Sequence, residues 1–184
     1  MKHSIQSVLI VLALQSPFLA MGQESEEFEG GRKTNVGLFI SHFHAFSGEH
    51  AENDAYLILP AIGLNVEHWI QPKWGVGLHT DLVLQSFQVK DNLGQKDIVL
   101  DRTTPVAPAG VLMYKPMPFL ALLLGGGMDI SKEATLGLMK IGVDLEMEVS
   151  KQIELELGIS YDLRFSYYSS LTVGFGVLYT ISKT

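Results

Sequence analysis

Two runs of glutamates flank a short polar turn and are the residues best placed for chemistry. Glu146 and Glu148 precede residues 150–152, and Glu154 and Glu156 follow them, each alternating with a large apolar residue. Such alternation places each run on one face of an extended strand. A hairpin closed at this turn sets Glu148 opposite Glu154 and Glu146 opposite Glu156. Like charges directly opposite are destabilising, so we expect basic side chains, a proton or a cation to neutralise them.

The same hairpin register places Lys140 opposite Asp162, which predicts an ion pair. The basic side chains expected near the glutamates are Arg32, Lys33, Lys73 and Lys115. A narrow interior filled with ion pairs is the favoured interpretation, and a calcium site is the alternative. The chain has no cysteine, and its glycine run at 125–127 lacks the Lys-Ser/Thr of a phosphate loop. We therefore predict no resident metal and no cofactor.

A second polar group has residue types that occur in nucleophilic catalysis. Its members are Ser41, His42, His44, Ser47, Glu49 and His50. A serine, a histidine and an acid must lie within hydrogen-bond distance to act together. His42 and His44 share a strand face with apolar residues, and no nucleophile motif surrounds the serines. The prediction is that the protein is not an enzyme.

The elements that carry these residues are strands with a period of two. Four segments alternate strictly between large apolar and polar or small residues, namely 74–85, 139–149, 153–165 and 171–181. Four further segments are predicted as strands on weaker patterns, namely 35–46, 56–70, 103–114 and 119–130. Pro105 and Pro108 indicate an irregular strand in the third of these. No long stretch has a helical period.

The connections between these strands alternate in length. Tight turns are predicted at 71–73, 115–118 and 150–152, and longer polar loops at 47–54, 90–102, 131–135 and 166–169. In an up-and-down antiparallel sheet, all tight turns then lie at one end, the turn end, and all longer loops at the other, the loop end. Eight such strands close into a barrel because closure removes the exposed edges.

Either face of this barrel can point outward. In a soluble lipocalin-like barrel, the alternative, the apolar face encloses a ligand; in a transmembrane barrel it meets lipid. The predicted strands have about 11 to 14 residues, enough to cross the hydrocarbon layer. Their apolar faces are bulky and their polar faces are rich in Gly, Ser and Thr, which suits a narrow interior. We therefore predict an all-β, eight-stranded, antiparallel up-and-down transmembrane β-barrel.

Aromatic residues at the strand ends support this prediction. The turn end has Trp69, Trp74, Tyr114, Phe119 and Tyr179, and the loop end has Phe46, Tyr56, Phe87, Phe165, Tyr167 and Tyr168. Two aromatic belts at the two headgroup levels are typical of transmembrane barrels. We expect these side chains at the membrane interfaces.

The first part of the chain has the order of a secretory signal peptide. A short basic start, an apolar run and a small-x-small site that ends at Gly22 predict cleavage after residue 22. Residues 23–33 are predicted as an acidic periplasmic leader, and residues 34–184 as the barrel. The whole chain of 184 residues has a formal charge of −7, which argues against a nucleic-acid partner.

These features together resemble the small outer-membrane β-barrel proteins of Gram-negative bacteria, the group of OmpX and the OmpA membrane domain. The resemblance implies an outer-membrane location, periplasmic turns, external loops, a lipid bilayer around the barrel and insertion by the barrel-insertion machinery. One departure is that the last aromatic residue, Tyr179, lies five positions before the end. We expect a structural or interaction role, in envelope integrity or in a larger membrane complex, without a wide pore. A lipid-modifying acyl hydrolase or transferase is the alternative function.

Overall fold

The computed structural model describes residues 32–46, 57–90, 99–165 and 167–183. The predicted signal peptide, nearly all of the acidic leader and Tyr56 lie outside this part. The described strands are β1 (Lys33–Phe46), β2 (Leu57–Gln71), β3 (Trp74–Val83), β4 (Phe87–Lys90), β5 (Val99–Arg102), β6 (Val106–Met117), β7 (Leu120–Ile130), β8 (Thr135–Ser150), β9 (Ile153–Arg164) and β10 (Ser169–Lys183). In the same part, no helix is long and apolar enough to cross a membrane.

Eight of the strands form one closed antiparallel barrel in the order β1-β10-β9-β8-β7-β6-β3-β2. Each strand therefore pairs with its neighbours along the chain, and β1 pairs with β10 to close the sheet. This confirms the predicted eight-stranded up-and-down barrel. β4 and β5 pair only with each other. They form the loop-end hairpin; the polar loop predicted at 90–102 covers all of β5 but only the last residue of β4.

The apolar face of nearly every barrel strand points outward. Large apolar side chains on all eight strands are exposed, and Ile40 is 78% exposed. The alternating residues are buried in the interior, the lumen, as in β2, where every second residue from Leu59 to Trp69 is buried. A wide exposed apolar surface is unfavourable in water but suits a lipid environment. The fold is thus a transmembrane barrel and not a soluble lipocalin-like one.

The glycine run in β7 lies where two strands come unusually close. A Cβ atom at Gly125 or Gly127 would clash with the backbone of β6, so only glycine fits there. The β6–β7 register passes directly from Val106 opposite Ile130 to Ala109 opposite Gly127. Pro108, which has no N–H to donate, lies in this gap, but the register is the same on both sides of it, and the shift in this pairing lies between Tyr114 and Met117 instead.

Apolar residues fill the lumen at the loop end. The largest buried cluster comprises Phe43, Ala45, Leu59, Ala61, Val83, Phe87, Val89, Leu136 and Tyr168. Phe87 and Val89 come from the loop-end hairpin, and the Phe87 ring lies 5.7 Å from that of Phe43 and 5.8 Å from that of Tyr168. The hairpin therefore folds over the barrel and closes its loop end.

Candidate functional site

The β8–β9 hairpin has the register expected from the sequence. Glu148 pairs with Glu154, Glu146 with Glu156 and Lys140 with Asp162. A bulge next to the turn places Ser150 opposite Ile153, where simple alternation predicts Val149. The period of two and the tight turn therefore determine which charges face one another across this hairpin.

The four glutamates do not share one environment. Glu146, Glu154 and Glu156 are buried, whereas Glu148 is exposed. Every residue from 147 to 150, at the turn end of β8, is exposed. The predicted lumen cluster of four carboxylates is therefore wrong for Glu148.

Two of the expected basic residues neutralise two of the buried glutamates. Lys33 Nζ lies 2.5 Å from Glu154 Oε1, and Lys115 Nζ forms a buried ion pair with Glu146. The Lys115 ammonium also lies 3.9 Å from the centre of the Trp69 ring, a cation–π contact. The turn end of the lumen is thus filled with ion pairs and an aromatic ring.

The expected partner of Lys140 is joined by a second carboxylate. Lys140 Nζ lies 2.9 Å from Asp162 Oδ1 and 2.8 Å from Asp81 Oδ2. The sequence did not indicate Asp81, because it lies on β3, across the lumen from β8. Closure of the barrel brings these strands together.

A second ion cluster lies near the loop end and centres on Asp129. Its carboxylate accepts hydrogen bonds from Arg102 of the loop-end hairpin, from Arg164 and from the Tyr168 hydroxyl, the last at 2.8 Å. Arg164 also donates to Ser170 Oγ at 2.7 Å. Burial in this loop raises the pKa of Tyr168, so its hydroxyl stays a donor. We call Arg102, Asp129, Arg164 and Tyr168 the loop-end cluster; the sequence analysis did not find it.

Between these two regions lies a cavity of about 40 Å³, which we call the lumen chamber. Its polar lining comprises Ser41, Asn65, His79, Asp81, Lys140, Asp144, Glu156, Ser160 and Thr172. Glu67 lies beside it, with Oε1 3.4 Å from His79 Nε2. His79 is buried there.

Several polar atoms of the chamber have no hydrogen-bond partner. They include Ser41 Oγ, Thr172 Oγ1 and Glu156 Oε2. Among the described residues, no group of three or more His, Asp or Glu side chains already converges as a metal site. The chamber therefore offers hydroxyl and carboxylate oxygens without a preformed set of metal ligands.

Three of the expected interfacial aromatics point into the barrel instead. Trp69 is 3% exposed, Phe87 is 4% exposed and Tyr168 is 1% exposed, so the prediction is wrong for all three. Trp69 lies on the same face of β2 as Asn65 and Glu67, so the alternation in the sequence already indicates that it points inward. Tyr168 lies in a loop, where alternation gives no such indication.

The other described aromatics of the two belts are exposed or half-buried. These residues are Trp74, Tyr114, Phe119, Tyr179, Phe46, Phe165 and Tyr167. The rings of Trp74 and Tyr114 lie 4.7 Å apart on the outer surface of the turn end. Their position at a membrane interface stays a prediction.

The possible catalytic serine and histidine lie on opposite faces of β1. Ser41 is buried in the lumen, whereas His42 is exposed on the outer face and His44 half-exposed. Ser47, Glu49 and His50 lie outside the described residues. The described residues of this group therefore do not form a Ser–His–acid arrangement.

A closed eight-stranded barrel, apolar outside and ion-paired inside, defines a class of protein, the small transmembrane β-barrels. The sequence matches no family model and no curated relative.

Solved structures show the same fold. The structure of Ail, the attachment invasion locus protein of Yersinia pestis, is 14% identical, with a TM-score of 0.51 over 83% of this chain and 99% of that one. The outer-membrane protein AlkL in lipid bilayers is 10% identical, with a TM-score of 0.50 over 88% of this chain and 94% of that one. At these identities the likeness extends to the fold alone.

Proposed function

We propose that this protein is an integral outer-membrane β-barrel with a structural or interaction role in the cell envelope, without a wide pore. The observation that carries the proposal is the filled lumen. The loop-end hairpin and the apolar cluster close one end, and buried ion pairs of Lys115 and Lys140 occupy the lumen around a chamber of only about 40 Å³. An interior of this kind leaves no aqueous path for solutes.

The predicted signal peptide and the outward apolar face support the outer-membrane location, because exported chains of this fold reside there. In the proposed orientation, the tight turns face the periplasm and the longer loops face outward. Insertion by the barrel-insertion machinery follows from this location. A larger envelope complex is the proposed kind of partner.

Single-cysteine labelling tests the location and the orientation together, because the natural chain contains no cysteine. Lys132→Cys places a thiol in the exposed β7–β8 loop, and Gln152→Cys places one in the exposed β8–β9 turn. In intact cells, a membrane-impermeant maleimide should label Lys132→Cys only, and lysis should expose Gln152→Cys. Labelling of Gln152→Cys alone would reverse the orientation, and recovery of the protein in the soluble fraction would refute the proposal.

The two tryptophans test which face of the barrel wall is in contact with lipid. Trp74 is exposed on the outer face and Trp69 is buried in the lumen. In brominated-lipid vesicles, the fluorescence of a Trp69→Phe variant, which retains Trp74, should be quenched strongly. A Trp74→Phe variant, which retains Trp69, should be quenched weakly. Equal quenching of the two variants would contradict the membrane-embedded arrangement.

A further inference from the structure

The lumen chamber is kept open by residues without side chains. Gly158 and Gly174 line it on two adjacent strands. A Cβ atom at Gly158 would lie 2.9 Å from Asp144 Oδ1, and one at Gly174 would lie 3.1 Å from Ser41 Cβ. Larger residues there would press on the oxygen-bearing side chains, so the glycines preserve both the space and the access of those oxygens to it.

The basic side chains of the described lumen are already engaged elsewhere. Their ion pairs are Lys33–Glu154, Lys115–Glu146, Lys140 with Asp81 and Asp162, Arg102 with Asp129, and Arg164 with Asp129 and Asp162. This leaves three buried carboxyl groups, Glu67, Asp144 and Glu156, without a lysine or arginine in an ion pair in that part of the chain. The remaining basic group beside them is the His79 ring, 3.4 Å from Glu67.

Three side chains that line the chamber and are more than nine-tenths buried have an oxygen without a partner. Ser41 is 4% exposed, Thr172 is 6% exposed and Glu156 is 2% exposed, and the oxygen of each is unpaired. Unpaired buried polar groups are costly and rare in native proteins. Water would satisfy the two hydroxyl groups but would not balance the charge of Glu156 and Asp144.

We propose that the lumen chamber binds one partly hydrated divalent cation of the calcium type. The carboxylates of Asp144 and Glu156 supply the charge, and the hydroxyl oxygens of Ser41 and Thr172 supply neutral ligands. Carboxylate, hydroxyl and water oxygens are what hard cations prefer. Because no three acidic groups converge there, part of the coordination sphere consists of water. This site does not depend on the proposed role in the envelope.

The position of Lys140 is compatible with a cation in the chamber. Its ammonium group is held between Asp81 Oδ2 and Asp162 Oδ1, at 2.8 and 2.9 Å. Asp162 also lies 3.6 Å from Arg164 Nη2, so these ion pairs balance among themselves and leave no positive charge over for Asp144 and Glu156. The site also differs from the calcium site first considered at the β8–β9 turn, since Glu146 and Glu154 there have lysine partners.

Calcium binding to the full-length mature chain, refolded in detergent, tests the proposal. The measurements are isothermal titration with CaCl₂ and the thermal unfolding midpoint in EDTA against CaCl₂. We expect saturable binding of one ion per barrel and a higher midpoint with calcium. Glu156→Gln should weaken binding at least about tenfold, which is about 1.4 kcal/mol, and should abolish the calcium-dependent shift. Glu148→Gln, which removes the exposed carboxylate on the same hairpin, should leave both unchanged.

Further variants keep the test decisive if Glu156→Gln does not fold. Asp144→Asn and the double change Ser41→Ala with Thr172→Val should each weaken calcium binding, since each removes ligands by another route. The proposal is overturned if the natural chain shows no calcium binding and no shift. It is equally overturned if binding persists in the chamber variants, because the ion then lies elsewhere, or if Glu148→Gln alone abolishes it.

Discussion

The loop-end cluster buries more basic than acidic side chains, whereas the lumen chamber buries an excess of carboxyl groups. In the loop-end cluster, a single carboxylate, Asp129, accepts from two arginines and a tyrosine. Around the chamber, three carboxyl groups share one histidine ring, and several oxygens have no partner. One barrel thus has a region in which the chain satisfies its own charges and another in which it does not.

The loop-end cluster should therefore contribute to stability, whereas the lumen chamber is suited to binding. Buried ion pairs of Arg102 and Arg164 with Asp129 hold the loop-end hairpin to the barrel, and losing one partner leaves a buried charge behind. Around the chamber, by contrast, neighbouring carboxylates repel one another, so neutralising one of them should stabilise the barrel. Substitution of a carboxylate in the two regions should therefore change the free energy of unfolding in opposite directions.

The largest effect is expected at Asp129. Asp129→Ala leaves the buried Arg102 and Arg164 without their shared carboxylate, which should lower the free energy of unfolding by about 4 kcal/mol. Urea unfolding in detergent micelles measures this change. The exposed Asp101→Ala in the same hairpin is the control and should change stability by less than about 0.5 kcal/mol. Equal effects of the two would mean that the cluster does not stabilise the barrel.

The apolar contact of the hairpin should rank next. Phe87 is buried against Phe43 and Tyr168, and Phe87→Ala should cost about 3 kcal/mol through lost burial and a cavity. Limited proteolysis should then cleave within the hairpin faster than in the natural chain. Val99→Ala, at an exposed position of β5, should not accelerate cleavage. An unchanged cleavage rate in Phe87→Ala would show that the hairpin is held by other contacts.

A smaller effect of opposite sign is expected in the chamber. In EDTA, Glu156→Gln should raise the free energy of unfolding by about 1 kcal/mol, because it removes one of several neighbouring like charges. Glu146→Gln is the matched variant, directly opposite Glu156 on the neighbouring strand. It should destabilise the barrel because Lys115 loses its buried partner. A loss of stability in both would remove the contrast between the two regions.

The smallest effect concerns the loop beside the hairpin. Glu133 accepts hydrogen bonds from the Thr103 amide at 3.1 Å and the Thr103 hydroxyl at 2.5 Å, and these bonds lower the pKa of Glu133 to about 2. The stabilisation is therefore present above the ordinary pKa of about 4.5 and is lost as the pH falls towards 2. NMR titration of the Glu133 carboxyl group should give a midpoint near 2. In Thr103→Val the midpoint should move towards 4.5, and no movement would contradict this cause.

Much of the architecture could be predicted because the strands and turns of a β-barrel follow local sequence patterns. The period of two identified four of the barrel strands, and weaker patterns together with the alternating connections indicated the other four. The tight turn set the register that pairs Lys140 with Asp162 and Glu146 with Glu156. The alternation along β2 also indicates that Trp69 points inward, because residues 67 and 69 lie on the same face of the strand. Its aromatic residue type alone suggested the membrane interface.

Contacts across the lumen could not be predicted in the same way. Lys140 meets Asp81, which is 59 residues away, and Lys115 meets Glu146, which is 31 residues away. Neither pair is joined by one turn, so no register rule relates them. The hairpin of β4 and β5 was missed because its two strands have only four residues each, too few for a clear period.

The sequence by itself determined the class of fold, the outward apolar face and the partners across each tight turn, because strand geometry alternates side chains locally. The tertiary structure decided which charges meet across the barrel, that the loop-end hairpin closes one end, and that three carboxyl groups remain around a chamber. Those features depend on the diameter and closure of the barrel, which bring distant strands within a few ångströms of one another.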